Sequence, residues 1–215
     1  MKEDNLKKQN CTMYLVRHGQ TEWNAEMRMQ GQKNSQLTTT GIEQAQAVAK
    51  SFEQIHFDAV YSSDLLRAKH TAEIIKLNRE LDTKTSEFLR ERSYGRFEGK
   101  AGTEYRQFVD SQLEKIQQLN EKERWEYKLE ADIESNAELM ARFVTYLREI
   151  ALAHAGQTVL VVSHGGPMRI LLIHLGYLSD QQAPPGLLEN GAHIELESDG
   201  ITFEVKQVVG LREAK

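Results

Sequence analysis

Two short apolar runs along the chain each end in a histidine that is followed by glycine. One run leads into Arg17 and His18, and the other, far downstream, leads into Ser163 and His164. Continuous Val and Leu runs are typical of strands that are buried on both faces of a parallel sheet. Ligands of open α/β sheets sit beyond the carboxyl ends of the strands, so we expect both histidines at one ligand-binding edge. The glycines after them would let the backbone approach a ligand closely.

The remaining hydrophobic and polar positions alternate between helical and strand periodicity. The pattern predicts five helices, over 40–52, from an N-cap among 62–64 to about 77, within 103–129, over 135–154 and over 167–175. It also predicts strands over 59–61, 83–88, 158–162, 193–198 and 201–209. Capping boxes starting at Thr40 and Ser135 mark two helix starts, Pro167 is placed at a first helical position, and Asp199–Gly200 is predicted as a two-residue hairpin turn. This order predicts an α/β domain whose sheet ends in an antiparallel hairpin.

Composition narrows the class of protein. The chain has 215 residues, 40% of them hydrophobic and 27% charged, which favours one soluble domain over 1–215 with an insertion. No apolar run is long enough to cross a bilayer, and the polar start is not expected to act as a signal peptide. We expect residues 1–11 to be flexible. The lone Cys11 excludes an internal disulfide and agrees with a cytoplasmic location.

The charge of the chain and its metal-ligating residue types bear on whether it binds nucleic acid or a metal ion. The formal net charge is −5 with both signs interspersed, which argues against a nucleic-acid partner but leaves room for a locally positive pocket. A metal site is the main chemical alternative for the two histidines, because histidine is the commonest metal ligand. The sequence has no HExxH pattern and no paired cysteines, so no metal is predicted.

Five blocks in order make the chain resemble the histidine phosphatase superfamily, in its phosphoglycerate mutase-like branch. They are RHGQTEWN from Arg17, RMQG from Arg28, SSDLLRAKHTA from Ser62, LRERSYGRFEG from Leu89 and SHGG from Ser163. The resemblance covers nearly the whole chain after residue 12. It implies a three-layer α/β/α sandwich with a mostly parallel sheet and an antiparallel edge. Residues 100–134 would then form a helical cap insertion.

The resemblance also implies roles for individual residues. His18 matches the nucleophile that forms a phosphohistidine, and a backbone carbonyl would hold its second ring nitrogen. Arg17, Arg67 and His164 match the groups that surround the transferring phosphoryl group, whose charge they would stabilise. Glu91 matches the proton donor for the leaving group, with Glu22 as an alternative acid.

A further set is assigned to the substrate side, and one carboxylate to the scaffold. Asn24 matches a phosphate ligand of the family, and the substrate side would also include Thr21, Gln30, Gly31 and Gly165. Glu98 belongs to the same sequence pattern as Glu91 but is expected to be structural.

The predicted activity is hydrolysis of small phosphorylated metabolites without metal or cofactor, by a monomer or homodimer. A cofactor-dependent phosphoglycerate mutase, which would need 2,3-bisphosphoglycerate, is one alternative. Ser93 stands where those mutases have histidine, and the insertion contains no adjacent arginine pair, so hydrolysis is favoured. A fructose-2,6-bisphosphatase-like sugar phosphatase is a second alternative, and a catalytically inactive binding module on the same fold is a third.

Overall fold

A single six-stranded sheet forms the centre of the protein. The computed structural model describes residues 9–77 and 79–212. The strands are β1 Cys11–Arg17, β2 Ala59–Ser63, β3 Thr83–Ser86, β4 Thr158–Ser163, β5 Leu188–Ser198 and β6 Phe203–Leu211. They lie in the order β3-β2-β4-β1-β5-β6. The first four strands in this order run parallel, whereas β5 and β6 add antiparallel neighbours beyond β1.

Helices cover both faces of the sheet and make three layers. They are α1 Glu22–Ala25, α2 Thr39–Ser51, α3 Leu66–Lys76, α4 Gly102–Ser111, α5 Leu113–Gln118, α6 Glu121–Glu126, α7 Asn136–Ala153 and α8 Gly165–His174. One core packs α7 and α8 against the sheet, and the other packs α2 and α3 against the opposite face. In β4, Val159 and Val161 enter the first core and Leu160 and Val162 the second, which explains the continuous apolar run. The predicted α/β/α sandwich is confirmed.

The strand register brings the two histidine-bearing loops together. Arg17 at the end of β1 is paired with Ser163 at the end of β4, and the backbone N–H of His18 donates to the Ser163 carbonyl at 3.1 Å. β2 lies on the other side of β4, so the N-terminus of α3 opens at the same edge. The carboxyl ends of three neighbouring parallel strands therefore share one crevice.

Three predicted helix starts were wrong by one to three residues. Thr38, not Thr40, caps α2, because the Thr38 hydroxyl accepts from Gly41 N at 3.0 Å. Residues 62 and 63 belong to β2, so α3 starts only at Leu66, whose N–H donates to Asn34 on a distant loop. α8 starts at Gly165, which puts Pro167 at the third helical position. Proline is tolerated there because N–H groups of a first helical turn have no partner within the helix.

Local side-chain hydrogen bonds shortened two other predicted strands. β3 ends at Ser86, whose hydroxyl accepts from Phe88 N and starts a 3-10 turn. The connection between β5 and β6 has four residues rather than two, because Asp199 accepts from the N–H groups of Ile201 and Thr202. The Ser135 capping box is present as predicted.

The segment between the 3-10 turn Gly95–Phe97 and α7 is helical but discontinuous. α4 and α5 meet at Gln112, and Asn120 forms a capping box that starts α6, so the predicted amphipathic helix is three short ones. Residues 1–8 of the N-terminal segment lie outside the described residues. Cys11 is the buried first residue of β1, so the expected flexibility does not extend to it. Within the described ranges, no helix combines the length and the apolar character needed to cross a membrane.

Candidate active site

His18 leaves β1 with its imidazole held in one tautomer. Its Nδ1 lies 2.7 Å from the carbonyl oxygen of Gly19, so Nδ1 carries the proton and donates to that oxygen. Its Nε2 therefore has a lone pair, and it accepts from Nε of Arg67 at 3.2 Å. The backbone carbonyl expected from the family resemblance is thus Gly19. The ring is 3% exposed and presents Nε2 to the crevice as the nucleophilic atom.

Arg67 connects the two histidines. From the first turn of α3 its Nε also donates to Nδ1 of His164 at 3.2 Å, while Nη1 and Nη2 donate to the carbonyls of Lys33 and Gly31, both at 2.7 Å. The two imidazole rings lie 5.1 Å apart at an angle of 62°. Because Nδ1 of His164 accepts a hydrogen bond, its proton lies on Nε2. The guanidinium is therefore fixed at four acceptors and orients both rings.

Two buried donors of the site have no partner among the residues that the structure describes. They are Nε2 of His164 and Nε of Arg17. One Nη of Arg17 donates to the carbonyl of Leu188 in β5, which fixes the guanidinium plane. Buried polar groups are nearly always satisfied, so an unpartnered pair beside a nucleophilic nitrogen indicates a place where an anion binds. Gly165 keeps this place open, because a Cβ there would lie 3.1 Å from Nε of Arg17.

Glu91 lies against the first turn of α8, in an irregular segment after the 3-10 turn Glu87–Leu89. Its Oε1 accepts from Arg92 N at 2.7 Å, and its Oε2 accepts from Gly166 N at 3.0 Å. A Cβ at Gly166 would approach Oε1 to 2.0 Å, so only glycine leaves room for the carboxylate. The alternative acid, Glu22, is an exposed residue of α1. The geometry therefore favours Glu91 as the acid.

Burial and neighbouring charge set the protonation states. Desolvation, followed by the charge of Arg67, holds the pKa of His18 and of His164 well below the usual value of 6.5. Both rings are thus neutral at pH 7, as a nucleophilic imidazole requires. Burial also lowers the pKa of Arg67 to about 10, which still leaves the guanidinium charged at neutral pH. Burial lowers the pKa of Arg17, and the negative charge of the Glu91 carboxylate offsets part of this effect.

The loop residues assigned to the substrate side have mixed surroundings. Thr21 is fully buried and caps α1: its hydroxyl accepts from Asn24 N and donates to Asn24 Oδ1. Gly31 has a φ of +53° and supplies the carbonyl that holds Arg67, and a Cβ there would lie 2.1 Å from Glu98. Gln30 is buried, and its Oε1 lacks a partner within the described chain. The structure thus gives Thr21 and Gly31 supporting roles, and substrate contact by this set stays a prediction.

The sequence analysis missed Asn190, which contributes to the site, and it expected Glu98 to be structural. Asn190 in β5 donates from Nδ2 to the backbone carbonyl of His18 at 3.0 Å and lies 3.4 Å from Asn24 Oδ1. An asparagine inside an otherwise alternating strand was the available signal. Glu98 is structural, because its Oε1 accepts from the N–H groups of Gln32 and Tyr94.

No group of three or more His, Cys, Asp or Glu side chains is arranged to hold a metal ion in residues 9–77 and 79–212. The predicted pocket residues His18, Arg67, His164, Arg17 and Glu91 instead surround a space whose open donors suit an anion. The chemistry that this arrangement supports is attack of a neutral nitrogen on an anionic group, with a carboxyl group beside it for proton transfer.

The chain matches a family model and several relatives. The model, described as the histidine phosphatase superfamily (branch 1), matches residues 13–209. The chain is 37% identical over 163 residues to a phosphoglycerate mutase-like protein 4 of Arabidopsis thaliana, across 73% of this chain and 67% of the relative. It is also 37% identical over 171 residues to a metal-independent phosphoserine phosphatase of Arabidopsis thaliana, across 75% of this chain and 67% of that protein.

A solved structure agrees over nearly the full length of both chains. The structure of Bacillus stearothermophilus YhfR superimposes with a TM-score of 0.80 at 32% identity, covering 94% of this chain and 98% of that one. The similarity in fold therefore extends over most of the chain.

Proposed function

We propose that this chain, which belongs to the histidine phosphatase superfamily (branch 1), hydrolyses phosphate monoesters of small metabolites through a phosphohistidine on His18. The observation that carries the proposal is the neutral, oriented Nε2 of His18 beside two buried, unpartnered donors, Nε2 of His164 and Nε of Arg17. A phosphoryl group placed there would contact the nucleophile and both donors together.

The first half-reaction transfers the phosphoryl group to the protein. Nε2 of His18 forms a bond to phosphorus while the bond from phosphorus to the ester oxygen breaks, and Glu91 gives a proton to that oxygen. The developing phosphohistidine cation is stabilised by the hydrogen bond from Nδ1 to the Gly19 carbonyl. Protonation is needed because an alkoxide is a poor leaving group.

The second half-reaction returns the protein to its starting state. The Glu91 carboxylate takes a proton from a water molecule whose oxygen bonds to phosphorus, and the bond between phosphorus and His18 breaks. Inorganic phosphate leaves. In both halves the phosphoryl oxygens keep their negative charge, which the unpartnered Nε–H of Arg17 and Nε2–H of His164 would meet. The positive charge of Arg67 lies beside the attacking nitrogen and would stabilise the same group.

The site and the names of the relatives support the proposed substrate class, a small phosphate monoester. The site needs neither metal nor cofactor for these steps, which agrees with the name of the metal-independent phosphoserine phosphatase relative. A small phosphorylated metabolite is proposed as the partner, with no role for nucleic acid or membrane, in a monomer or homodimer. The single buried Cys11 supports a cytoplasmic location.

The test is phosphate release from p-nitrophenyl phosphate and from a panel of metabolite monoesters, with the purified protein in the presence of a chelator. We expect turnover that His18→Ala abolishes, and trapping of acid-labile phosphate on the wild type. Unchanged turnover in His18→Ala contradicts the nucleophile, and loss of activity with chelator contradicts metal independence. Interconversion of phosphoglycerates that depends on added 2,3-bisphosphoglycerate would replace hydrolysis by the mutase activity.

A further inference from the structure

The backbone that carries Glu91 is held almost entirely by side chains from elsewhere in the fold. After the 3-10 turn Glu87–Leu89 the chain belongs to neither helix nor strand up to residue 93. Such a segment has no ladder to satisfy its carbonyls. Even so, the carbonyls of residues 88 to 91 each accept from a side chain: three of them from Arg142 and that of Leu89 from Ser163 Oγ at 2.8 Å.

Arg142, in the second turn of α7, makes most of these contacts. Its Nη1 donates to the carbonyls of Phe88 and Arg90 at 2.8 and 2.9 Å, and its Nη2 donates to the carbonyl of Glu91 at 3.0 Å. The same guanidinium pairs with both oxygens of Glu134, at 2.6 and 2.9 Å. The side chain is 16% exposed, so these bonds are largely shielded from solvent.

Glu134 extends the same support past the carboxylate. Its Oε2 accepts from Ser93 N at 3.2 Å, and its backbone carbonyl accepts from Arg92 at 2.9 Å. The ion pair is therefore hydrogen-bonded to the segment on both sides of the Glu91 side chain. Arg142 binds the residues before it, and Glu134 binds the residues after it. Neither residue is hydrogen-bonded to His18 in the part of the chain that the structure describes, although the charge of Arg142 contributes to lowering the pKa of His164. An effect through His164 would slow esters with any leaving group, whereas an effect through Glu91 depends on the leaving group.

We propose that Arg142 and Glu134 are positioning residues that fix the Glu91 carboxyl group against the leaving-group oxygen. This inference rests on the proposed function, because it needs Glu91 as the general acid. The planar guanidinium of Arg142 binds several backbone carbonyls and the Glu134 carboxylate at once. The ammonium group of a lysine could make only some of these bonds.

The readout is the dependence of kcat/KM on the leaving group. For transfer to an enzyme nucleophile, kcat/KM reports the steps up to departure of the leaving group and is insensitive to the later hydrolysis. p-Nitrophenolate leaves readily without a proton, whereas an alkoxide requires one. A displaced acid therefore slows an alkyl ester selectively, while partial unfolding slows both esters equally.

The experiment compares p-nitrophenyl phosphate with an alkyl monoester accepted in the metabolite panel. We expect Arg142→Gln to lower kcat/KM for the alkyl ester about 10–100-fold, short of the 10²–10⁴ for loss of a general acid, and for the aryl ester less than about threefold. Arg142→Lys should fall between this variant and the wild type. Arg148→Gln, an exposed arginine of the same helix, is the matched control and should change neither value.

Two further variants keep the inference refutable. In a Glu91→Gln background, Arg142→Gln should change the ratio of the two kcat/KM values less than about twofold, because no acid remains to be positioned. If Arg142→Gln does not fold, Glu134→Gln is measured instead and should shift the ratio in the same direction. An unchanged ratio in the folded variant overturns the inference, whereas a wild type inactive on both esters overturns the proposed function itself.

Discussion

Replacing Arg67 with lysine separates the geometry of the guanidinium from its charge. Arg67 is 1% exposed, and its nitrogens bind four acceptors: the carbonyls of Gly31 and Lys33 and one nitrogen each of His18 and His164. A lysine ammonium lacks the planar fork and cannot reach all four. We expect at least one carbonyl to lose its partner and the two rings to lose their shared donor.

The magnitudes follow from these contacts. A buried polar group left unsatisfied costs about 1–3 kcal/mol, so Arg67→Lys should destabilise the protein by that amount. At about 2–4 °C per kcal/mol for a chain of this size, the melting temperature should fall accordingly. Removing one preorganised donor from a developing anion lowers kcat about 10²–10³-fold, and we expect a loss in that range because Nε contacts the nucleophile directly.

The assay pairs chemical denaturation with phosphate release from p-nitrophenyl phosphate. Arg79→Lys is the matched control, because Arg79 also donates to partly buried carbonyls, at 2.8 Å to Phe52 and 2.9 Å to Ile55, but three residues beyond the end of α3. That variant should lose stability and keep its activity. If Arg67→Lys loses stability but stays within tenfold of wild-type kcat, Arg67 is only structural and the reasoning is refuted.

Three further predictions concern packing and protonation. Gly166→Ala is expected to lower kcat/KM for an alkyl monoester at least about tenfold with the fold retained, because the added Cβ would lie 2.0 Å from Glu91 Oε1, and wild-type kinetics would contradict this. Burial is the main reason that the pKa of both His18 and His164 lies well below 6.5 in the folded protein. Below about pH 6.5 the unfolded chain therefore binds more protons than the folded protein, and the free energy of unfolding falls as the pH falls. His164→Gln should reduce that slope by up to about one proton between pH 6.5 and 5 in denaturation experiments, and an unchanged slope would show that His164 does not contribute. Burial raises the pKa of Cys11 to about 11, so iodoacetamide at pH 8 should label the denatured chain and leave the folded protein unmodified, as mass spectrometry would detect.

Local sequence determined the parts of the fold that depend on local physics. The alternation of apolar runs and capping boxes predicted the core strands β1, β2 and β4 and the helix α7, because side-chain periodicity and N-caps act within a few residues. It failed where a distant residue completes an element and where a local cap interrupts an apolar pattern. Asn34 receives the first N–H of α3, and Asn120 splits a helix that periodicity alone would continue.

The same division applies to the site. The motif blocks predicted His18, Arg67, His164 and Glu91 as candidate reactive residues, and the first three stand at predicted strand ends or at a predicted helix start. The motifs carry no information on which atoms face each other. That Nε2 of His18 is the unprotonated nitrogen follows from the Gly19 carbonyl, which accepts from Nδ1, and from an arginine 49 positions away, which donates to Nε2.

What the sequence by itself determined is the class of fold and the family resemblance, from which the candidate reactive groups were predicted. Only the tertiary structure decided the tautomers, the two unpartnered donors and the support of Glu91 by Arg142, 51 residues downstream. Hydrogen bonds and desolvation depend on distances between segments that are remote along the chain. They become defined only when the sheet register and the helix packing bring those segments together.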